Sequence, residues 1–144
     1  MRKILFLIIT IATVLFFVAC EKEKVPTQKI QKPFEEGVYT GTFTVKYFVE
    51  MPESWIQTLT SEALLEFKDG KFTCTHSNMR GGGSGYHTIS DSTIIFDDTN
   101  GWFADFDWNL ILTGEYNFNF DGTRLIISAN KNEVGFYKYD LIKQ

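Results

Sequence analysis

The sequence predicts an all-β domain, a small antiparallel up-and-down β-barrel of about eight strands, joined to an N-terminal export segment. From residue 37 onward, apolar and polar residues alternate with a period of two, and helical periodicity is nearly absent. Turn-forming dipeptides such as Asp69-Gly70 and Asp121-Gly122 separate the alternating runs. Aromatic residues make up 16% of the chain, which is enough bulk to fill or line a barrel. Closing a sheet removes its exposed edges, and a β-sandwich of the same strands is the alternative.

The first segment, residues 1–19, has the pattern of a bacterial signal peptide. Arg2 and Lys3 precede a mainly apolar run, which is shorter than the ~20 apolar residues that a membrane-spanning helix needs. The run stops at Cys20, and charged residues follow at once. The tetrapeptide FVAC (17–20) resembles the lipobox of bacterial lipoproteins, in which the cysteine becomes an acylated N-terminus. We therefore predict that Cys20 is lipidated and holds the protein on a membrane.

Residues 20–36 are predicted to form the lipidated cysteine and a flexible tether. This stretch alternates in charge and holds two of the three prolines, and it spans at most ~50 Å when extended. Loss of residues 1–19 removes two positive charges and changes the formal net charge from −4 to −6. Such a balance repels phosphate backbones, so nucleic acid is excluded as a partner. The predicted location is the cell envelope, on the outer membrane, with the periplasmic and external faces both left open.

The barrel domain is predicted over residues 37–144, with strands that follow one another through short connections. The first run puts Tyr39, Phe43 and Val45 on one face. Two connections contain Asp-Gly, which predicts tight hairpins because glycine tolerates positive φ. The predicted strands cover residues 38–48, 63–67, 71–76, 86–90, 93–96, 110–120, 123–129 and 134–142.

Two segments interrupt this rhythm. Residues 51–62 are compatible with one short helix that has Pro52 near its start. Residues 98–109 form a loop in which aromatic and acidic side chains alternate. These two segments are the places where a feature other than a strand is expected.

Four motifs resemble those of small lipocalin-like lipoproteins of the Gram-negative cell envelope. They are G-x-Y-x-G-T-F at 37–43, G-S-G-x-x-x-I at 83–89, F-D-W-N-L-I-L-T-G-E-Y at 106–116 and Y-x-Y-D-L at 137–141. The resemblance covers essentially the whole predicted domain and implies a lipocalin- or calycin-like barrel. Its motifs consist of turn glycines and core aromatics, and no catalytic signature accompanies them. No group of residues in the chain has the spacing that a catalytic site needs, so we expect a protein that is not an enzyme and that has no cofactor.

The chain contains one small group of side chains with metal-ligand chemistry. If a hairpin is centred between Gly81 and Gly82, His76 lies opposite His87, and Cys74 shares their inner face. Imidazole and thiolate suit zinc or copper, which makes these three residues weak metal candidates. A one-residue slip in register would separate the histidines. The favoured alternative is a pair of hydrogen-bonded histidines near the barrel mouth beside a buried, unreactive Cys74, so no metal is predicted.

Residues 98–109 contain the candidates for contact with a partner. Trp102, Phe103 and Trp108 could stack on a glycan or dock a protein if they are exposed. The favoured alternative is that they fold inward and plug one end of the barrel, because large exposed aromatics are costly without a partner.

Two functions follow from these observations. The first is a non-enzymatic binding protein that holds a small apolar ligand in or at the mouth of the barrel. Its candidate ligand-binding residues are Trp102, Phe103, Trp108, His76 and His87. The alternative is a structural or interaction lipoprotein with a filled barrel, which presents residues 98–109 to a protein or glycan.

The content of the barrel interior separates the two functions, because eight strands enclose either a filled core or one small ligand. The residues at the predicted inward positions are compatible with either a filled or an open interior. Four phenylalanines are large enough to fill the interior and three glycines leave room: Phe43, Phe67, Phe72 and Phe118 against Gly41, Gly114 and Gly135.

Overall fold

The computed structural model describes residues 31–48, 58–103, 105–131 and 133–144. Within these residues, eight antiparallel strands form a closed barrel in which each strand pairs with its neighbours in sequence, and the last strand returns to the first. The predicted up-and-down barrel is therefore confirmed. The strands are β1 (Gly37–Tyr47), β2 (Thr58–Lys68), β3 (Lys71–His76), β4 (Gly83–Ile89), β5 (Thr93–Asp98), β6 (Gly114–Phe120), β7 (Arg124–Lys131) and β8 (Gly135–Lys143).

The N-terminal predictions are covered only in part. The predicted signal peptide, Cys20 and the tether up to residue 30 lie outside the described residues. The first part of the predicted helix, residues 51–57, lies outside them as well. The helix prediction is wrong for residues 58–62, because these residues belong to β2. There Ser61 is buried and its neighbours Thr60 and Glu62 are exposed, so the two-residue period of β2 begins earlier than the sequence suggested.

The barrel closes where β1 pairs with β8, from Tyr39 opposite Lys143 to Tyr47 opposite Gly135. A Cβ at Gly41 would lie 2.1 Å from the backbone oxygen of Asp140. Gly41 and Gly135 thus allow two backbones to approach closely, and they do not leave room for a ligand as the sequence suggested.

The hairpin turns follow the local sequence. Asp69 and Gly70 join β2 to β3 with φ values of 52° and 73°, as a two-residue turn of the predicted kind requires. The connection between β6 and β7 is one residue longer, and Gly122 has a positive φ there, at 103°. The Asp121 carboxylate stabilises this connection by accepting hydrogen bonds from two following backbone N–H groups, at 3.0 and 2.8 Å.

Every strand except β4 contributes buried apolar side chains to the barrel interior, and β4 contributes the imidazole of His87. The four inward phenylalanines of the prediction are all buried. Aromatic rings meet edge to face across the core, for example Phe72 and Phe96 at a centroid distance of 4.9 Å. The core residues are Tyr39, Phe43, Val45, Ala63, Leu65, Phe67, Phe72, Cys74, Ile94, Phe96, Leu110, Leu112, Tyr116, Phe118, Phe120, Leu125, Ile127, Ala129, Tyr137, Tyr139 and Leu141.

One end of the barrel, here called the turn end, carries the turns at residues 69–70, 90–92 and 121–123. Residues 31–36, which the sequence placed in the tether, run along this end without regular secondary structure. The backbone N–H of Lys32 donates to the oxygen of Phe120 at 2.7 Å. The ring of Phe34 packs edge to face on Phe67 at 4.9 Å. The chain therefore joins the barrel at the turn end.

The opposite end, here called the loop end, carries the connections at residues 77–82 and 99–113. The predicted strand 110–120 begins only at Gly114, which is exposed with a φ of 88° and does not line the interior. Before it, a short 3-10 helix spans Trp108–Leu110, and Ile111 makes a single bridge to Gly82. No helix in the described part of the chain is long and apolar enough to cross a membrane.

Candidate functional site

The predicted pairing of the two histidines is wrong. In the β3–β4 hairpin, Cys74 lies opposite Gly83, and His76 pairs on its other side with Ala63. His87 instead lies opposite Phe96, and its backbone N–H donates to the backbone oxygen of Gly70 at the turn end. The two histidines therefore occupy opposite ends of the barrel.

The glycine-rich stretch explains this difference in register. Gly83 and Gly85 are part of β4 and do not form the tip of the hairpin. A Cβ at Gly85 would lie 1.9 Å from the backbone oxygen of Asp97, and one at Gly83 would lie 2.2 Å from a carboxylate oxygen of Asp98. These glycines bring β4 close to β5, and the connection is built from residues 77–82.

His87 is part of the packing at the turn end. Its side chain is 4% exposed and lies edge to face against Phe67 and Phe34. Burial lowers the pKa of His87, and Glu36, with a carboxylate oxygen 3.8 Å from Nε2, partly offsets this effect. Glu36 also accepts hydrogen bonds from the N–H groups of Asp69 and Gly70, both at 2.8 Å. His87 and Glu36 thus secure residues 31–36 against the barrel.

His76 lies in the loop-end half of the barrel with Cys74 and Tyr139. Its ring stacks on Phe43 at a centroid distance of 4.5 Å and an angle of 4°. Its Nε2 is 3.2 Å from the Tyr139 hydroxyl and 3.8 Å from Cys74 Sγ. Burial lowers the pKa of His76 to about 4, although the backbone of Arg80 opposes the shift, and burial raises the pKa of Cys74 to about 12. Cys74 is therefore a buried, protonated thiol, as the sequence predicted, and a poor nucleophile.

Within the ranges that the structure describes, no three His, Cys, Asp or Glu side chains come together as a metal-binding group. The three residues singled out by the sequence are thus divided between two places. Cys74 and His76 stay together, and His87 belongs to the turn end.

Trp102 is held in a half-buried position at the loop end. Its indole N–H donates to an Asp98 carboxylate oxygen at 2.5 Å, and its ring packs on Phe106 at 5.4 Å. The other Asp98 oxygen accepts from the backbone N–H of Ser84 in β4 at 2.9 Å. Asp98 therefore links the aromatic loop to the barrel wall.

A surface groove of about 920 Å³ lies beside Trp102, and Arg80 and Asp105 form an ion pair there with an N–O distance of 3.1 Å. Both partners of the pair are largely exposed, so it contributes little to stability. The groove is lined by Arg80, Gly81, Trp102, Phe103, Asp105 and Phe106.

Phe103 and Trp108 point to solvent, with exposures of 85% and 55%. The expectation that the loop aromatics plug the barrel is wrong for these two residues. Leu110 and Leu112 occupy the buried positions instead. Asp107 explains the orientation of the neighbouring Trp108. Its carboxylate caps the 3-10 helix by accepting a hydrogen bond from the backbone N–H of Asn109 at 2.9 Å, and it also accepts one from the Tyr47 hydroxyl at 2.7 Å.

Lys131 is a partly buried cation that the sequence motifs do not single out. Its ammonium donates to the backbone oxygens of Asn109 and Ile111, at 3.1 and 2.6 Å. It also lies over the rings of Tyr116 and Tyr137, at 5.2 and 5.4 Å from their centroids. Burial lowers the pKa of Lys131 to about 8, against a smaller opposing effect of Asp107. The two-residue alternation of β7 is the signal that could have found it, since this alternation places Lys131 on the inner face.

A comparison with protein-family models, with curated proteins and with solved structures finds no match to this chain.

Proposed function

We propose that this protein is a lipid-anchored lipoprotein of the cell envelope whose filled barrel presents a loop surface to a protein partner. The loop surface consists of Arg80, Trp102, Phe103, Asp105 and Trp108. The observation that carries the proposal is the exposure of Phe103 and Trp108 on a loop that the rest of the barrel holds in place.

The composition of the loop surface suits a protein partner. Aromatic residues and arginine are enriched in protein interfaces and supply most of their binding energy. Exposed large aromatics otherwise invite aggregation, and a monomeric protein rarely keeps several of them together. The contacts of Asp98, Asp107 and Lys131 hold the loop in one conformation, which lowers the entropy cost of binding.

The position of the loop surface supports the same proposal. Residues 31–36 join the barrel at the turn end, and the loop surface lies at the loop end. An anchor at Cys20 would therefore connect to the end of the barrel that is farthest from the loop. This arrangement directs the aromatic side chains away from the membrane and toward a partner.

The packed interior favours this proposal over an apolar ligand inside the barrel. Phe43, Phe67 and Phe72 fill the space that such a ligand would need. An apolar ligand at the mouth, in the groove beside Trp102 and Phe103, stays a prediction of the sequence that the test below also addresses.

The test uses the full-length chain in its native membrane. A photocrosslinking phenylalanine analogue replaces Phe103 in one variant. In the control it replaces Tyr86, which is 54% exposed on β4. We expect a discrete protein adduct from position 103 and none from position 86. Trp108→Ala should reduce the yield from position 103 at least tenfold, because a central aromatic residue contributes about 2 kcal/mol or more to an interface. Adducts with glycan or small molecules alone, or equal yields at both positions, would contradict the proposal.

The anchor is tested separately. Cys20→Ala should move the protein from the membrane fraction to the soluble fraction, because the acyl chains supply the affinity for the bilayer. Mass spectrometry of the membrane-bound wild-type protein should find acyl groups on Cys20. A wild-type chain without acyl groups, or a membrane-bound Cys20→Ala variant, would refute the lipid anchor and leave the loop surface unaffected.

A further inference from the structure

Three donor atoms of different chemistry meet inside the loop-end half of the barrel. Cys74 Sγ lies 3.8 Å from His76 Nε2 and 3.9 Å from the Tyr139 hydroxyl oxygen, and the nitrogen and the oxygen are 3.2 Å apart. A point equidistant from the three atoms lies about 2.1 Å from each of them. Protein ligands bind first-row metal ions at about 2.0–2.3 Å. The spacing of the three atoms therefore matches that of ligands to one shared ion.

The fold already holds these atoms in place. Cys74 and His76 are two residues apart on the inner face of β3, and Tyr139 faces inward on β8. Phe43 stacks on the imidazole and also packs on the ring of Tyr139, at 4.6 Å. Such packing fixes the orientation of a ligand ring before any ion binds, which favours metal affinity.

The charge of the site selects a monovalent ion. A cysteine ligand binds as a thiolate with one negative charge, and a histidine ligand binds as a neutral imidazole. Loss of the thiol proton would supply one negative charge, which balances one positive charge on the ion. A divalent ion would leave an uncompensated positive charge in a core of low dielectric. Thiolate and imidazole together suit copper(I), which accepts soft ligands.

The site is close to the surface at one point. His76 also lines an outer groove of about 600 Å³, together with Gly41 and Ala63. His76 therefore borders both this groove and the buried thiol of Cys74.

We propose that Cys74 and His76 form a binding site for one copper(I) ion, with the Tyr139 hydroxyl as a third, weaker neighbour. On binding, the Cys74 S–H bond breaks, the sulfur forms a bond to copper, and the proton passes to solvent. The lone pair of His76 Nε2 forms the second bond, and no electron is transferred. This site is separate from the loop surface, so either proposal can fail without the other.

The test is an anaerobic titration of the full-length chain in detergent with copper(I), in competition with a chromophoric copper(I) chelator. We expect the wild-type chain to bind one more ion than Cys74→Ser, which retains Cys20. His76→Gln should weaken binding at the site at least 100-fold. His87→Gln is the matched control, because it removes the other buried histidine at the opposite end of the barrel and should leave the affinity unchanged. Equal binding by wild type and Cys74→Ser, or preferential binding of zinc(II), would overturn the proposal.

A second measurement does not depend on variants that fold. X-ray absorption at the copper edge of the loaded wild-type protein should show one sulfur neighbour and one or two nitrogen or oxygen neighbours. A spectrum with nitrogen and oxygen neighbours alone would overturn the site, because it would exclude Cys74.

Discussion

At the residue scale, Asp140 shows how charge stabilises the barrel wall. Its carboxylate accepts hydrogen bonds from Arg124 at 2.6 and 2.7 Å and from Lys138 at 2.8 Å. These contacts, led by the hydrogen bond from Arg124, lower the pKa of Asp140 to about 2. The paired side chains are partly exposed, which reduces the effect on stability.

Asp140→Asn should lower the free energy of unfolding by about 1 kcal/mol at pH 7. Because the folded-state pKa lies below the unfolded-state value, this stabilisation is present above pH 4 and is lost as the pH falls through about 2. Urea unfolding at pH 7 and pH 2 would measure the change, and the two proteins should converge at pH 2. Asp105→Asn, which removes the exposed pair with Arg80, is the control and should change stability by less than about 0.5 kcal/mol.

Lys131 predicts a second rise in stability with pH, in a more alkaline range than that of Asp140. Its folded-state pKa is lowered to about 8 from 10.5, so the unfolded chain binds more protons than the folded chain between these values. The stability should therefore rise by about 2 kcal/mol between pH 7.5 and pH 9.5. Lys131→Met should lack this rise, and the difference between the two unfolding curves isolates Lys131, because the buried tyrosines contribute to both. Parallel curves for both proteins would show that Lys131 is not desolvated.

At the element scale, β4 is the strand whose sequence is most misleading. Its glycines are typical of a hairpin tip, yet they lie within the strand because β5 leaves no space for a side chain. Gly85→Ala should destabilise the protein by about 2 kcal/mol or more, since a Cβ there would lie 1.9 Å from a backbone oxygen. Gly101→Ala is the matched control: its Cβ has open space and should change the free energy of unfolding by less than about 0.5 kcal/mol. Thermal or urea unfolding would separate the two, and equal stabilities would contradict the β4 register.

The strands that the sequence predicts well are those with a clear period and an unambiguous turn. β1 alternates cleanly from Val38 to Tyr47, and Asp69-Gly70 defines the β2–β3 hairpin. The β3–β4 register could not be predicted, because a glycine has no side chain that indicates a face, and both histidines fit either arrangement. For this reason the sequence grouped His87 with Cys74 and His76, although His87 lies at the opposite end of the barrel.

The loop between β5 and β6 limits prediction in another way. The apolar run at residues 110–112 resembles the start of a strand. Its first residue instead ends the 3-10 helix, all three side chains are buried, and Ile111 makes one bridge. The sequence supplies the aromatics of this loop without a period, so it cannot indicate which of them are buried. The cap at Asp107 and the contacts of Lys131 decide this, and both depend on tertiary structure.

At the scale of the whole molecule, the barrel has two different ends. Residues 31–36 cover part of the turn end, and the loop surface occupies the other. Phe34 is central to this arrangement, because its ring meets Phe67, Phe118 and His87. If Cys20 is lipidated as proposed, the contacts of Phe34 determine how many residues remain free between the anchor and the barrel.

Phe34→Ala should release residues 31–36 and lower the free energy of unfolding by about 2 kcal/mol, less than the loss for a fully buried phenylalanine. The freed residues would lengthen the tether by at most about 20 Å. On vesicles, energy transfer from a dye at position 103 to acceptors in the bilayer should therefore fall in the variant. A matched change on the exposed surface, Ile95→Ala on β5, should alter neither quantity. If Phe34→Ala unfolds at the same urea concentration as wild type, residues 31–36 are not part of the folded domain, and the tether extends to Glu36 as the sequence first suggested.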